Sequence, residues 1–447
     1  MSPVLDLLAR LVKYDTRTNE NSPGKEVLQL IQTELEPKFK ELGFETKMFE
    51  SKGHYSIYAE KAGIEPKILY SGHVDVVPWD DRWESNPQEL VFDKEDGEEI
   101  VRGRGVSDMK CGVAAMMTAL PKIAQSKYAV CFAITGDEEI AGEDGTKVIV
   151  DDLVENGKLP TYVITADAAG MEIITRRRNV FDIFVKSRDG KKTVVGKKET
   201  KKFTSKIVSA KTSHAAYYKK DQDSHCVKEA SEFINKNGYY PIDMKGNFVK
   251  VNVIPDSIEL TYIIPTDEGE AYEADLGLMY LLEFARNIMD IDFETEAFSE
   301  YGINSSGNVF HHENGQWSIE VDIRAMLNYE ARELDGAILL ILDSIDWNFE
   351  LETKKSIGYI ATPDDSPLAA ATTELLGSMG YPSKTAERGG ATDGRFFAFH
   401  DIQTVDIGAI GWNVHGPNET STVKSIEDLV TFFEKATDFI GNKYNQQ

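Results

Sequence analysis

From the N-terminus to about Arg176, short continuous apolar runs alternate with segments of helical period. The runs Ile68-Leu69-Tyr70, Ala129-Val130-Cys131-Phe132-Ala133-Ile134 and Tyr162-Val163-Ile164-Thr165-Ala166 are too short for helices, so they read as buried strands. Ser2 to Val12 carries its apolar residues at helical spacing, and a second helix is expected from about Met109 to Gln125. Strand and helix in turn favour an α/β layer with a mainly parallel sheet.

Near Arg176-Arg177-Arg178 the texture changes, and charged turns at 186–192 and 196–199 interrupt β-rich segments. The basic cluster reads as a solvated hairpin rather than a binding patch. A helix is expected around Cys226 to Asn237, an alternating strand at Val249 to Ile254, and a longer amphipathic helix from Glu273 to about Met289. A further alternating strand, Ser318 to Arg324, precedes a helix from Glu330 to Ile345. This stretch is α+β. After Pro363 the α/β texture returns, with a helix near Ser366 to Met379, the glycine-rich turn Gly389 to Gly394, the apolar run Val405 to Ile410 and a closing helix from Ile426 to Ile440. The expected architecture is an α/β domain, residues 1–177 and 362–447, with a mainly parallel mixed sheet flanked by helices, into which an α+β domain of residues 178–361 is inserted. No internal repeat and no low-complexity segment is evident.

A chain of 447 residues agrees with two domains. Its 49 Lys and Arg against 75 Asp and Glu leave a formal charge of -26, which repels phosphate backbones and anionic membranes and argues against nucleic acid as a partner. Cys111, Cys131 and Cys226 are few, odd in number and unpatterned, so free thiols in a reducing, cytoplasmic compartment are expected. The first helix lacks a basic flank, so it does not read as a signal peptide, and no apolar stretch reaches the length of a membrane span.

Chemistry-bearing residues follow the apolar runs, where open α/β sheets gather their ligands. His73 and Asp75 follow the first run and lie two apart, so they can share a face of an extended segment. A metal-bound imidazole donates its second N–H to a carboxylate, which casts Asp75 as orienter. Asp108 stands just before the second helix; an N-cap is its ordinary role, and a carboxylate bridging two metal ions is the other. Asp137-Glu138-Glu139 follows six apolar residues, and such a buried acidic triplet needs cations or protons nearby. Asp167 follows the third run and has an ordinary account as a turn residue; His415 follows the Val405 run and reads equally as a loop histidine. Together, two imidazoles and three carboxylates suit zinc, with cobalt or manganese as acceptable substitutes.

This constellation resembles the family of di-zinc metallohydrolases that holds aminoacylase, acetylornithine deacetylase, succinyl-diaminopimelate desuccinylase and glutamate carboxypeptidase. The likeness rests on Ser71-Gly72-His73-Val74-Asp75-Val76-Val77-Pro78, Gly103-Arg104-Gly105 with Asp108-Met109-Lys110, Gly136-Asp137-Glu138-Glu139, Thr392-Asp393-Gly394-Arg395-Phe396-Phe397 and His415-Gly416-Pro417-Asn418-Glu419, in family order across nearly the whole chain. The resemblance implies that His73 and Asp167 bind one zinc, Glu139 and His415 the other, and Asp108 both, with a cis peptide at Asp108-Met109. It further implies Glu138 as general base, His214 as a donor to the tetrahedral intermediate, Asn252 as a substrate contact and Arg395 as the grip on a substrate carboxylate. Asp393 and Asp322 are expected to fix local structure or to pair with Arg395 and Arg324.

Two features depart from the family pattern. Cys111 replaces a small residue such as Gly, and Asp167-Ala168-Ala169 replaces a Glu-Pro-Thr or Glu-Pro-Ser run, a lean toward the peptidase branches. The inserted region resembles the enlarged lids of monomeric dipeptidases, which leaves a monomer or a homodimer open. The implied activity is amide hydrolysis in a short peptide with a free carboxylate, by a dipeptidase or carboxypeptidase. The alternative is a deacylase of N-acyl amino acids such as succinyl-diaminopimelate or acetylornithine. A silent peptide-binding paralogue is disfavoured because all five ligands and the base are present. The chain has neither a His-Glu-X-X-His helix nor a Gly-X-Ser-X-Gly elbow, which weakens other hydrolase chemistries.

Overall fold

The computed structural model describes residues 2–17, 24–209, 213–328, 332–355 and 358–446. The chain divides into two compact units, Met1–Arg177 with Gly358–Gln447, and Arg178–Ile357.

The first unit is built on a nine-stranded mixed sheet. At its centre Ile64–His73 runs parallel to both Tyr128–Thr135 and Tyr162–Thr165, and Gln403–Asp406 runs parallel to Tyr162–Thr165. Antiparallel strands flank this centre: His54–Lys61 and Glu45–Ser51 on one side, Ile173–Arg177 and Ile360–Ala361 on the other. Thr385–Arg388 also pairs with Ile173–Arg177, in parallel. Tyr128–Thr135 is buried along its whole length, as a continuous apolar strand covered on both faces must be. On one face the helices Pro3–Lys13, Lys110–Ile123 and Val423–Tyr444 share a single core with the sheet. In it Phe132 sits at 5.1 Å from Phe39 and 5.4 Å from Tyr70, and Tyr70 meets Phe433 edge-on at 5.4 Å. The other face is covered by Thr146–Glu155 and Gly394–Ala398, which bury Ile149, Leu153, Phe396 and Phe397. A small antiparallel sheet, ordered Gly411–Trp412, Thr420–Thr422, Glu98–Arg102 and Val91–Glu95, ties the turn around His415 to the loop that begins at Gly103.

The second unit holds two four-stranded antiparallel sheets. One runs Tyr240–Gly246, Ser257–Pro265, Lys191–Thr204, Glu270–Asp275; the other runs Asn304–Glu313, Gln316–Ala325, Asn179–Ser187, Phe349–Lys355. In Asn179–Ser187 buried and half-buried residues alternate strictly, and its buried Phe181, Ile183 and Val185 join the core formed with the helices Cys226–Asn237 and Leu276–Met289.

Three expectations change. Residues 249–254 form a turn rather than a strand, because the amide of Val253 bonds back to the carbonyl of Lys250, and the strand proper begins beyond Pro255, at Ser257. The helix expected from Glu273 starts at Leu276: Glu270–Asp275 is strand, and the Asp275 carboxylate caps the helix by accepting from the Leu278 amide at 2.8 Å. The basic cluster is no solvated hairpin, since Arg177 and Arg178 are buried and hydrogen-bonded to protein. The expected start at Glu330 lies outside the described residues, and the described helix there is Arg332–Asp343. All three cysteines are buried and free. Among the described residues no helix is long and apolar enough to cross a membrane.

Candidate metal centre

His73 ends the central strand and is 1% exposed. Its Nε2 lies 3.1 Å from Asp108 Oδ1 and 3.9 Å from both Glu138 Oε2 and Asp167 Oδ2. Its Nδ1 lies 3.1 Å from the Asp75 carbonyl and 3.3 Å from the Asp75 carboxylate, so Nδ1–H donates there and Nε2 faces the three acids. The Asp75 carboxylate also accepts from the amides of Glu138 at 3.3 Å and Glu139 at 3.0 Å. One side chain thus orients the imidazole and the acidic turn beside it.

Asp108 does not cap the following helix, whose N-terminal position is Met109. Its carboxylate reaches in two directions instead. Oδ1 meets His73 and Oδ2 lies 3.1 Å from His415 Nε2, which is also 3.0 Å from Glu139 Oε2. The Asp108–Met109 peptide is cis. His415 is partly exposed and sits in a turn with a φ of 62°, between Asn413 and Asn418, which are also left-handed. Asp167 follows the strand Tyr162–Thr165; its carbonyl accepts from Arg177 Nη2 at 2.6 Å, and Arg177 is itself paired with the buried Asp406. His73, Asp108, Glu138, Glu139, Asp167 and His415 are therefore brought together.

The electrostatics of this cluster are those of acids forced close in a dry place. Burial, then the neighbouring Asp108, pushes the Asp167 carboxyl up to about 8. Burial and the surrounding carboxylates, Asp167 first, raise Glu138 well above the carboxylate range even though His73 opposes them. Burial works against charge on both imidazoles, yet the carboxylates prevail: His415 rises to about 11 beside Glu139 and Asp108, and His73 rises well above its ordinary value. Asp108 goes the other way, held low against burial by its bonds to both histidines.

The donors fit divalent cations. His73, Glu138 and Asp167, and likewise His73, Asp108 and Glu139, present ligand atoms within 4.8 Å of one another. Glu139 Oε1 is buried and has no hydrogen-bond partner among the described residues, and the mixed nitrogen and oxygen set is the one zinc accepts.

The other expected site residues make local bonds of their own. His214 and Asn252 lie in the second unit, where the amide of Ala215 donates to the Asn252 carbonyl at 2.9 Å. His214 Nδ1 accepts from the Ala216 amide at 3.0 Å, which leaves its proton on Nε2. Lys211 and Thr212, next to His214 in the sequence, lie outside the described residues. Arg395 is 4% exposed and its guanidinium donates to the carbonyls of Ala141 at 2.6 Å and Thr392 at 3.3 Å, bracing the turn after Glu139. Asp393 accepts from the hydroxyls of Thr135 at 3.1 Å and Thr146 at 2.5 Å, and Asp322 makes a two-pronged bond with Arg324 at 3.0 Å. Sequence reasoning passed over Arg104, Glu419, Arg177 and Asp406, four buried charges beside the cluster. Arg104 and Glu419 stood inside the quoted motifs, which was the available signal.

A cluster of this make at the ends of parallel strands defines a hydrolase of the metal-dependent kind. The chain belongs to peptidase family M20/M25/M40, whose family model matches residues 69–438. It is 23% identical to the succinyl-diaminopimelate desuccinylase of Nautilia profundicola over 442 residues, 97% of this chain and 99% of that one. Its fold matches that of an aminoacylhistidine dipeptidase from Vibrio alginolyticus with a TM-score of 0.70 at 12% identity, over 98% of this chain and 96% of that one. An M20 family metallo-carboxypeptidase from Sulfolobus solfataricus matches with a TM-score of 0.63 at 16% identity, over 99% of this chain and 100% of that one.

Proposed function

We propose that this chain is a two-zinc hydrolase that cleaves the amide bond of a short peptide bearing a free carboxylate. The observation that carries the reading is the Asp108 carboxylate, with one oxygen at 3.1 Å from His73 and the other at 3.1 Å from His415. In this reading His73 and Asp167 hold one zinc, Glu139 and His415 the other, and Asp108 both; cobalt or manganese could substitute. When bound, such a pair acidifies a water molecule and polarises the scissile carbonyl.

The protein's own groups do the rest. Asp75 keeps the His73 ring turned so that Nε2 points inward, and its grip on the amides of Glu138 and Glu139 sets the direction of both side chains. Glu138 takes a proton from the attacking water and delivers it to the leaving amine; its burial makes the carboxylate a better base than a solvated one. The roles of His214 as oxyanion donor and Asn252 as substrate contact belong to the same proposal, and the Ala216 amide suits His214 to it by keeping the proton on Nε2. Three buried free thiols fit a reducing compartment.

A deacylase acting on N-succinyl or N-acetyl amino acids is the second reading, favoured by the full-length likeness to a desuccinylase. A panel of dipeptides beside N-acyl amino acids, with zinc, cobalt or manganese supplied, separates the two. Cleavage of succinylated substrates alone overturns the peptidase reading. In the same assay Glu138→Gln is expected to keep both metal ions by elemental analysis while turnover drops by about 10²- to 10⁴-fold. Undiminished turnover removes Glu138 as base.

A further inference from the structure

Among the buried charges that sequence reasoning passed over, Glu419 is densely bonded. It is 0% exposed, and its carboxylate accepts four hydrogen bonds within the first unit. Oε1 takes the amides of Ser107 at 2.7 Å and Asp108 at 3.0 Å; Oε2 takes the amide of Gly105 at 3.1 Å and Arg104 Nη1 at 2.7 Å. Every lone-pair direction of the carboxylate is used, which is how a buried charge meets its desolvation cost. Arg104, 3% exposed, turns its other prong to the carbonyl of Gly416 at 3.1 Å. The main-chain carbonyl of Glu419 accepts from the Gly103 amide at 3.1 Å.

This bonding has a direction. The amide held by Oε1 is that of Asp108 itself, so Glu419 fixes the backbone from which the two-way carboxylate springs. The carbonyl held by Arg104 belongs to the residue after His415. One ion pair therefore governs two groups more than three hundred residues apart in the chain, Asp108 and His415, whose side chains meet at 3.1 Å. His73 and Asp167 owe their aim to other groups, Asp75 and Arg177.

We propose that Glu419, through Arg104, is a positioning residue that sets Asp108 and His415 for the ion on the Glu139 and His415 side, an inference that rests on the two-ion reading above. Removing its charge disturbs the shared Asp108 for both ions and, through Arg104 and Gly416, His415 for that ion alone, so that ion loosens more than the one on the His73 and Asp167 side.

The test uses the full chain, stripped with chelator and titrated with Co²⁺, following bound metal by elemental analysis and the visible d–d absorption. Wild type is expected to take two ions. Glu419→Gln, with a wild-type circular dichroism spectrum, is expected to keep the first ion, to bind the second about 10- to 100-fold more weakly and to show an altered d–d band. Arg104→Lys, which leaves a cation beside Glu419 but gives up the fork to Gly416, is expected to shift the same ion and serves if Glu419→Gln fails to fold. A folded variant that binds both ions with wild-type affinity and an unchanged band overturns the positioning role and leaves the two-ion reading standing. Equal weakening of both ions also overturns it, because a general loosening of the fold would do that. Wild type that takes up no cobalt refutes the two-ion reading and this inference together.

Discussion

Acidification from about pH 7.5 to about pH 5 should weaken the second unit through a single imidazole, that of His225. The residue is 1% exposed and both ring nitrogens are committed: Nε2 lies 3.0 Å from the Asn308 side-chain oxygen, and Nδ1 accepts from the Val227 amide at 3.3 Å, capping the helix Cys226–Asn237. A proton on Nδ1 would destroy the cap and bury a charge. Burial, reinforced by the Lys228 charge and only partly offset by Asn308, pushes the imidazole down to about 4. The unfolded chain takes up the proton near the ordinary value of about 6.5, whereas the folded chain resists until about 4, so the unfolded state binds more protons throughout that window. Stability contributed by the neutral ring is therefore full above about pH 7, falls as the pH drops below about 6.5, and is gone near pH 4. At about 1.36 kcal/mol per unit, the whole shift is worth about 3 kcal/mol, of which about 2 kcal/mol is lost by pH 5. Urea unfolding followed by far-UV circular dichroism, for wild type and His225→Gln across this range, isolates the group by difference. The difference between the two should be flat above neutrality and shrink by about 2 kcal/mol at pH 5. Curves that stay parallel down to pH 5 would refute the reasoning. The effect reaches further than one helix cap, since the Asn308 amide that continues the relay donates to the carbonyl of Val251, next to Asn252, at 2.6 Å.

Two more outcomes follow from geometry. Arg395→Ala removes two donors that hold the carbonyls of Ala141 and Thr392, so it should lower the melting temperature and cut kcat/KM on amides with and without a carboxylate; a loss confined to carboxylate-bearing substrates would favour its expected role as a substrate grip. Gly112→Ala gains about 1 kcal/mol of helix propensity, but its Cβ would stand 2.6 Å from the carbonyl oxygen of Ala166 and 2.8 Å from its Cβ, so overpacking of about 1–3 kcal/mol should win and lower the urea midpoint. A stabilised variant would show that the helix can shift aside.

The sheet was legible because its central strands are buried on both faces, and burial of that kind leaves unbroken apolar runs. His73, the acidic triplet at 137–139 and Asp167 were legible because they closely follow those runs. Where one segment offers two solutions, the sequence is mute. Residues 249–254 alternate as a strand does, yet a turn closed by Val253 and Lys250 takes up the backbone groups a ladder would need. Glu273 continues the helical period of the residues after it, but the strand Glu270–Asp275 pairs with Lys191–Thr204, a long-range bond no local pattern records. Arg177 and Arg178 read as solvated because their acceptors, Gly390 and Ala216, are distant in the chain. Asp108 was open between cap and bridge; Met109 takes the cap position, and the meeting with His415, more than three hundred residues away in the sequence, supports the bridge proposed above.

The division of the first unit into two stretches has a consequence for biosynthesis. The ribosome produces His73, Asp108, Glu139 and Asp167, then the entire second unit, and only afterwards His415 and Glu419. Because translation proceeds from the N-terminus and domains tend to fold as they emerge, a half-made chain carries four of the proposed ligands without the fifth or the ion pair that aims it. Hydrolytic competence would then wait until His415 and Glu419 have emerged, and products terminated before them would be inert.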